Sequence, residues 1–309
     1  MASTARFEGI RLWDLATATE IGHCPGNYHA AFFHPDGLSM WTAGNRGLHR
    51  WPIQRDDGTG AFQIGPPQLI DPRRLDHHQG ANLSPDGQTM AMIAGAGKAF
   101  LFDVAQPDQK MLLQSKDLSG VGFSPKRTWM VTTAWPAPQT RIWEAATGKM
   151  LHELPIKDRA AAQFSPDGKW LVTGTRHEFI FWEVGAWQPR RTIARHNAPL
   201  SNIVFSPDSK MAALELATGK VHLVDPETGR EFAVLPAGAP MGFSPDGSQM
   251  IAQAEESRLQ VWDLRLIRQQ LADMKLDWDL PPYPPLDEPR PALPAPLKVT
   301  LQLGAPAAS

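Results

Sequence analysis

The chain has little of what most functional classes require. A single cysteine, Cys24, stands among 309 residues, so no internal disulfide can form and a reducing compartment is the expected setting. Neither sign of charge dominates: 30 Lys and Arg face 32 Asp and Glu, a net charge of −2. A general nucleic-acid binder needs a basic footprint, and this balance excludes one. No apolar run approaches the roughly 18 residues of a membrane span. Met1 to Gly9 has neither the basic start nor the apolar centre of a signal peptide. These absences predict a soluble, cytoplasmic chain without a membrane or nucleic-acid partner.

What is present is periodic. A phrase of apolar, small, Pro, Asp or Lys, small or basic recurs as FHPDG at Phe33, LSPDG at Leu83, FSPKR at Phe123, FSPDG at Phe164, FSPDS at Phe205 and FSPDG at Phe243. The intervals are 50, 40, 41, 41 and 38 residues. A second phrase keeps step with the first: LWD at Trp13, LFD at Phe102, IWE at Trp143, FWE at Trp182 and VWD at Trp262, with weaker copies at Trp51-Pro52 and Val224-Asp225. Two markers in phase at a period near 40 mean one supersecondary unit copied in tandem.

The copy that starts near Arg159 shows why each unit reads as four short strands. Ala161 to Phe164 is apolar, and Ser165-Pro166-Asp167-Gly168 reverses the chain, because Pro fixes φ and Gly accepts a positive φ. Trp170 to Thr173 runs back, Gly174 to Glu178 turns again into Phe179 to Trp182, and Arg191 to Ala194 supplies an outer strand. Ala146-Thr147-Gly148-Lys149 and Glu227-Thr228-Gly229-Arg230 place Gly where a tight hairpin needs it. Repeated four-stranded units of this length predict an all-β fold, a β-propeller of six to seven blades.

In the phase of the turn phrase, about 18 residues ahead of the Trp-acid pair, and in the Thr-Gly turn after it, the chain resembles the WD40 repeat family over Ile10 to Asp263, about four fifths of its length. The resemblance implies four-stranded antiparallel WD40-type blades and says almost nothing about chemistry. TolB-like and peptidase-associated propellers share the turn phrase, and the Thr-Gly turn favours WD40. The family's Gly-His ahead of the first strand and its Asp in the second-to-third turn are mostly absent. Gly22-His23 and Arg195-His196 are the nearest candidates for the former, while the turn reads Asn45-Arg46-Gly47, Ala96-Gly97-Lys98, Pro136-Ala137-Pro138 and Ala217-Thr218-Gly219. Blade stability is therefore expected to come mainly from apolar packing.

The propeller is predicted over 1–263 with an incomplete first blade, because Gly9 to Leu15 and Thr19 to His23 read as a third and fourth strand with no first and second before them. Either Leu297 to Leu303 returns to complete a blade, or the chain is the C-terminal part of something longer. Leu264, Ile267, Leu271 and Met274 recur at helical spacing and predict an amphipathic helix over 264–276. A Pro-rich tail follows over 277–309, with eight prolines between Pro281 and Pro296 that predict extended polyproline and a possible returning strand at 297–303. Leu264 to Tyr283 is similar to the tail that follows WD40 arrays in large planctomycete-type bacterial proteins, many with an upstream Ser/Thr kinase domain or a sigma-factor-like region. That resemblance implies a docking or sensor part of a larger signalling protein. The tail either binds a partner through its aromatic and proline motif or packs along the propeller rim, and the rim reading is the simpler one.

Catalytic phrases are missing. Neither the G-x-S-x-G elbow nor the kinase phrases H-R-D and D-F-G occur. Gly95-Ala96-Gly97-Lys98 lacks the hydroxyl residue after Lys98 and the upstream glycine of a phosphate loop, and reads as a hairpin. Asp76 with His77-His78, and His23, Cys24, His29 and His34, have no zinc-like spacing. Asp36, Asp86, Asp167, Asp208 and Asp246 recur in repeat turns and are expected to shape backbone. No enzyme, cofactor or metal is therefore expected. The alternative is a propeller enzyme of hydrolase or lyase type with a small-molecule site in its channel, but the inner strands offer mainly Ala, Phe, Val, Asn82 and Gln163. What remains is a binding surface for a protein or peptide, presented by a monomer or by part of a longer chain. The outer-to-inner loops and the second-to-third turns should gather Arg46, Arg73, Arg74, His77, His78, Trp135, Arg159, Arg176, His177, Arg195 and His196 on one face. Arg, His and Trp often anchor interfaces, and these would suit a partner carrying acidic groups.

Overall fold

The computed structural model describes residues 2–5, 9–15, 17, 19–73, 80–93, 97–115, 117–136, 138–196, 202–253, 258–283 and 297–303. It is an all-β propeller fold of small antiparallel sheets with one short helix. The first sheet joins β1 (Ala2–Ala5), β2 (Gly9–Asp14) and β3 (Thr19–Cys24). The second contains β4 (Tyr28–Phe33), β5 (Ser39–Gly44), β6 (Gly47–Arg55), β7 (Phe62–Ile64) and β8 (Gln68–Asp71). Four sheets of four strands follow. They are β9 to β12 (Ala81–Leu83, Thr89–Ile93, Lys98–Asp103, Lys110–Gln114) and β13 to β16 (Leu118–Phe123, Trp129–Ala134, Thr140–Glu144, Met150–Leu154). Next come β17 to β20 (Ala161–Phe164, Trp170–Gly174, Glu178–Glu183, Gln188–Ala194) and β21 to β24 (Val204–Phe205, Ala212–Ala217, Lys220–Val224, Glu231–Leu235). The last sheet has three strands, β25 (Pro240–Phe243), β26 (Gln249–Gln253) and β27 (Leu259–Asp263), and is followed by α1 (Leu264–Asp273) and β28 (Val299–Leu301).

The start of the chain differs from the sequence reading. A strand precedes Gly9: β1 pairs antiparallel with β2, Ala2 opposite Leu12 and Ala5 opposite Gly9. Ala-Ser-Thr-Ala carries no turn phrase and no apolar alternation, so nothing local marks it as a strand.

The chain divides into two compact units, one of Met1–Ala137, Trp143–Met150 and Pro291–Ser309, the other of Pro138–Ile142 and Leu151–Arg290. In each, the second strand of a blade is buried on both faces; β5 and β18 are buried at every position. With side chains alternating between faces, such a strand serves two cores. In the second unit, Trp170, Val172, Phe179 and Phe181 pack against Ile203, Phe205, Ala212 and Leu214 of the next sheet. In the first, Trp41, Ala43 and Leu48 meet Met90, Met92 and Phe102 in the same way.

The turn phrase is a hydrogen-bond device. Its Ser Oγ accepts the amide of the residue five positions on, at 2.8 to 2.9 Å for Ser84, Ser124, Ser165, Ser206 and Ser244. Where Asp is present, the same hydroxyl donates to it, as Ser165 does to Asp167 at 2.6 Å. Burial alone would raise the Asp86 and Asp246 carboxyls, but hydrogen bonds from Ser84 and the Gln88 amide, and from Ser244, Ser248 and Arg265, hold both below the usual range. The last position of the phrase links one turn to the preceding one. Arg127, at φ 54°, reaches back to Asp86 at 2.7 Å and to Thr89 at 2.9 Å, and Ser209, at φ 61°, accepts the Asp167 amide at 2.9 Å.

A polar pair that neither repeat phrase marks recurs under the Trp-acid phrase. The indole N–H of Trp51 donates to Thr42 at 2.9 Å, that of Trp143 to Thr132 at 2.8 Å and that of Trp182 to Thr173 at 2.9 Å. The Thr lies on the second strand, two residues beyond the one opposite the Trp, as Leu171 faces Trp182. In the last sheet Met250 faces Trp262, so Ala252 occupies the threonine position and the Trp262 indole nitrogen is buried without a partner. Thr173→Val keeps the shape but leaves the Trp182 indole dry and unpaired, and is expected to cost about 1–3 kcal/mol. A denaturation midpoint equal to that of the wild type would show that the bond contributes nothing.

Asp263, the acid of the last Trp-acid phrase, ends β27 and caps α1, accepting from the amides of Arg265 at 3.0 Å and Leu266 at 3.3 Å. Leu264 and Trp278 are buried with Met211, Leu235 and Met250, so the segment after the helix packs on the last two sheets.

Candidate partner-binding loops

The predicted site residues fall in both units. In the first, Arg46 is exposed in the turn between β5 and β6. Arg73, just after β8, lies 3.8 Å over the Phe100 ring and 3.2 Å from Asp71. The Asp71 carboxylate is fully buried and also pairs with Lys110 at 2.7 Å, whose ammonium lies 5.7 Å from the Phe102 ring. Arg73 thus belongs to a cation, carboxylate and aromatic cluster on the outer part of the third sheet. Trp135 follows β14 and is 43% exposed, its amide held by the Asp117 carbonyl at 2.8 Å. Arg74, His77 and His78, with Asp76, lie outside the described residues.

In the second unit the β16–β17 loop and the β18–β19 turn come together, as the connectivity of a four-stranded blade predicts. Between them is an open cavity of about 480 Å³. Ile156 and Ile180 give it apolar surface, and Lys157, Arg176 and His177, with the carboxylates of Asp158 and Glu178 and the hydroxyl of Thr175, line it with polar groups. The turn is held by Thr175, whose Oγ1 accepts the amides of His177 and Glu178 at 3.2 Å each, leaving the Arg176 and His177 side chains facing solvent. Among the described residues neither has an ion-pair partner. Arg159 is half-buried beside this loop, its amide bonded to the Asp158 carboxylate at 2.7 Å.

Arg195 is not on an accessible surface. It is buried to 5% exposure, its guanidinium donating to the Glu215 carbonyl at 2.8 Å and the Thr175 carbonyl at 2.5 Å and lying 4.6 Å over the Phe179 ring. Burial pulls its pKa down and the Glu215 carboxylate opposes that shift. It ties the fifth sheet to the sixth. His196 is exposed, with its amide on the Leu216 carbonyl at 3.0 Å.

A second cavity in this unit, about 360 Å³, lies along the inner strands and includes Gln163, Asn202, Ile203 and Met241. Its polar side chains are the two amides, and none of its lining residues titrates. Among the described residues no three His, Cys, Asp or Glu side chains are placed to hold a metal ion. Cys24 is buried, which pushes its thiol pKa up, and the His34 ring bonds the Gly87 carbonyl at 3.0 Å. No described helix is long and apolar enough to cross a membrane.

No protein-family model matches the chain, and no curated protein matches it significantly.

Proposed function

We propose that this chain is a non-catalytic interaction scaffold built from WD40-type repeats, which docks an acidic protein or peptide on its loops. The observation that carries this reading is the cavity beside Arg176 and His177: two solvent-facing basic side chains next to apolar surface, on loops fixed by a rigid sheet. Aromatic and Arg side chains over apolar ground are the usual anchors of an interface, and exposed Trp135 offers a second anchor in the other unit. The untitratable lining of the inner-strand cavity supports a binding role over an enzymatic one. Fluorescence anisotropy with labelled acidic peptides tests the reading. Arg176→Ala is expected to weaken binding about tenfold, a change of about 1.4 kcal/mol, and the wild-type affinity should fall with added salt. Equal affinity of the two proteins would remove these loops from the site.

We further propose that the scaffold is the docking or sensor part of a larger bacterial signalling protein such as a Ser/Thr kinase, on the likeness of Leu264 to Tyr283 to such tails. An immunoblot of the source cells should then show a band well above 34.0 kDa; a band at that mass would refute the fusion.

A further inference from the structure

The interval between the first two turn phrases, Phe33 to Leu83, is 50 residues where the others are 38 to 41, and the structure shows what the excess builds. The first part of β6 pairs with β8 as in an ordinary blade, Leu48 opposite Asp71 and Arg50 opposite Gln68. Its last three residues leave that pairing and form a separate hairpin with β7, Ile53 opposite Ile64 and Arg55 opposite Phe62. Asp56 closes the hairpin turn, its carboxylate accepting the amides of Gly58 at 3.0 Å and Thr59 at 2.7 Å. A four-stranded blade has no need of this hairpin.

The far edge of β7 carries β28 in parallel, Val299 opposite Phe62 and Leu301 opposite Ile64. The Phe62 amide donates to the Lys298 carbonyl and the Gln302 amide to the Ile64 carbonyl, each at 2.8 Å. The Leu297 amide donates to the buried Asp14 carboxylate at 3.2 Å. Val299 and Leu301 enter the cluster of Ile10, Leu12, Trp51 and Ile64, while Lys298, Thr300 and Gln302 are exposed. Two glycines make room. A Cβ at Gly65, where φ is +103°, would stand 2.3 Å from the Gln302 carbonyl oxygen, and one at Gly22 would stand 3.1 Å from the Leu301 side chain. The acceptor therefore specifies strand direction, backbone position and two apolar side chains spaced two residues apart.

We propose that the β6–β7 hairpin, with Gly22 and Asp14, is a strand receptor: a second binding site for an extended segment of a protein partner with the pattern of Leu-Lys-Val-Thr-Leu. The chain's own Leu297–Leu303 occupies it as an intramolecular competitor. Addition of a strand to a sheet edge takes affinity from main-chain hydrogen bonds and specificity from alternate side chains, and both elements are built here. A strand of three residues near a chain end opens at a lower free energy than the central strands of a sheet.

The test uses the full-length chain with Val299→Asp and Leu301→Asp, which frees the receptor, and a fluorescent peptide of the Leu297–Leu303 sequence. The freed chain is expected to bind the peptide about 100-fold more tightly than the wild type, the factor by which a tethered strand at an effective concentration of about 1 mM competes for an acceptor with a Kd of about 10 μM. Adding Gly22→Val to the freed chain should abolish binding, and a peptide with its apolar and polar positions exchanged should not bind. If the double variant loses cooperative unfolding, Leu301→Ala, which only shortens one side chain, takes its place with a smaller gain expected. A folded, freed chain that does not bind, or equal binding by freed and wild-type chains, would overturn the proposal.

Discussion

Replacing Arg268 by alanine is expected to destabilise the second unit by about 3 kcal/mol and to release the segment after α1. This guanidinium is the hub around which residues 277–283 are wound. It makes a two-pronged pair with Asp277, 3.0 Å on each oxygen, and donates to the carbonyls of Pro281 at 2.6 Å, Leu280 at 2.7 Å and Trp278 at 3.2 Å. It also lies 5.6 Å from the rings of both Trp278 and Tyr283. Removing it takes the donor from the Leu280 and Pro281 carbonyls, leaves the Trp278 carbonyl with the Leu280 amide at 2.9 Å alone, and frees Asp277, whose carboxyl the arginine holds below the usual range. Trp278, 3% exposed and tilted against Phe232 at 5.9 Å, would then lose the ordered loop that keeps it in the core. Arg268→Lys should recover only part of the loss, because an ammonium has no planar fork. Denaturant unfolding gives the energy, and limited chymotrypsin cleavage after Trp278 and Tyr283 reports the release. An Arg268→Ala protein with wild-type midpoint and cleavage pattern would show that the hub does not hold the tail.

Two arginines in the same loop cluster should behave in opposite ways. Arg195→Ala is expected to cost about 2–3 kcal/mol, since it leaves the buried carbonyls of Thr175 and Glu215 without donors and uncovers the Phe179 ring. Arg176→Ala, on an exposed side chain with no described ion pair, should stay within about 0.5 kcal/mol of wild type. Parallel denaturation curves decide it. Similar midpoints for the two variants would mean that the Arg195 contacts add no net stability.

That contrast shows where the sequence is informative. Residues that act through neighbours a few positions away are legible: Ser-Pro-Asp-Gly specifies its own turn, and Phe179-Ile180-Phe181-Trp182 reads as a strand from its short run of aromatic and β-branched residues after a turn. Arg195 follows an outer strand, in a loop whose place in the repeat predicts exposure. Its burial depends on carbonyls 20 residues away in either direction, which no local pattern carries. The Trp–Thr pairs carry no local signal, because Thr is common in strands and only the register between strands singles out Thr42, Thr132 and Thr173. β28 was visible as an alternating run, but its parallel partner at Phe62–Ile64 was not, since its position depends on a hairpin that is itself a departure from the repeat. β1 left no trace because four small residues have no pattern to read.

The proposed role is docking of an acidic partner through loops that carry exposed Arg, His and Trp side chains. The most direct measurement is capture of interacting proteins from the source cells by the wild-type chain and by a Trp135→Ala, Arg176→Ala chain, matched for folded content by thermal unfolding. An acidic partner is expected that the wild type retains in near-stoichiometric amount at low salt and that the variant loses. Retention of the same partner by both chains, in equal amount, would contradict it.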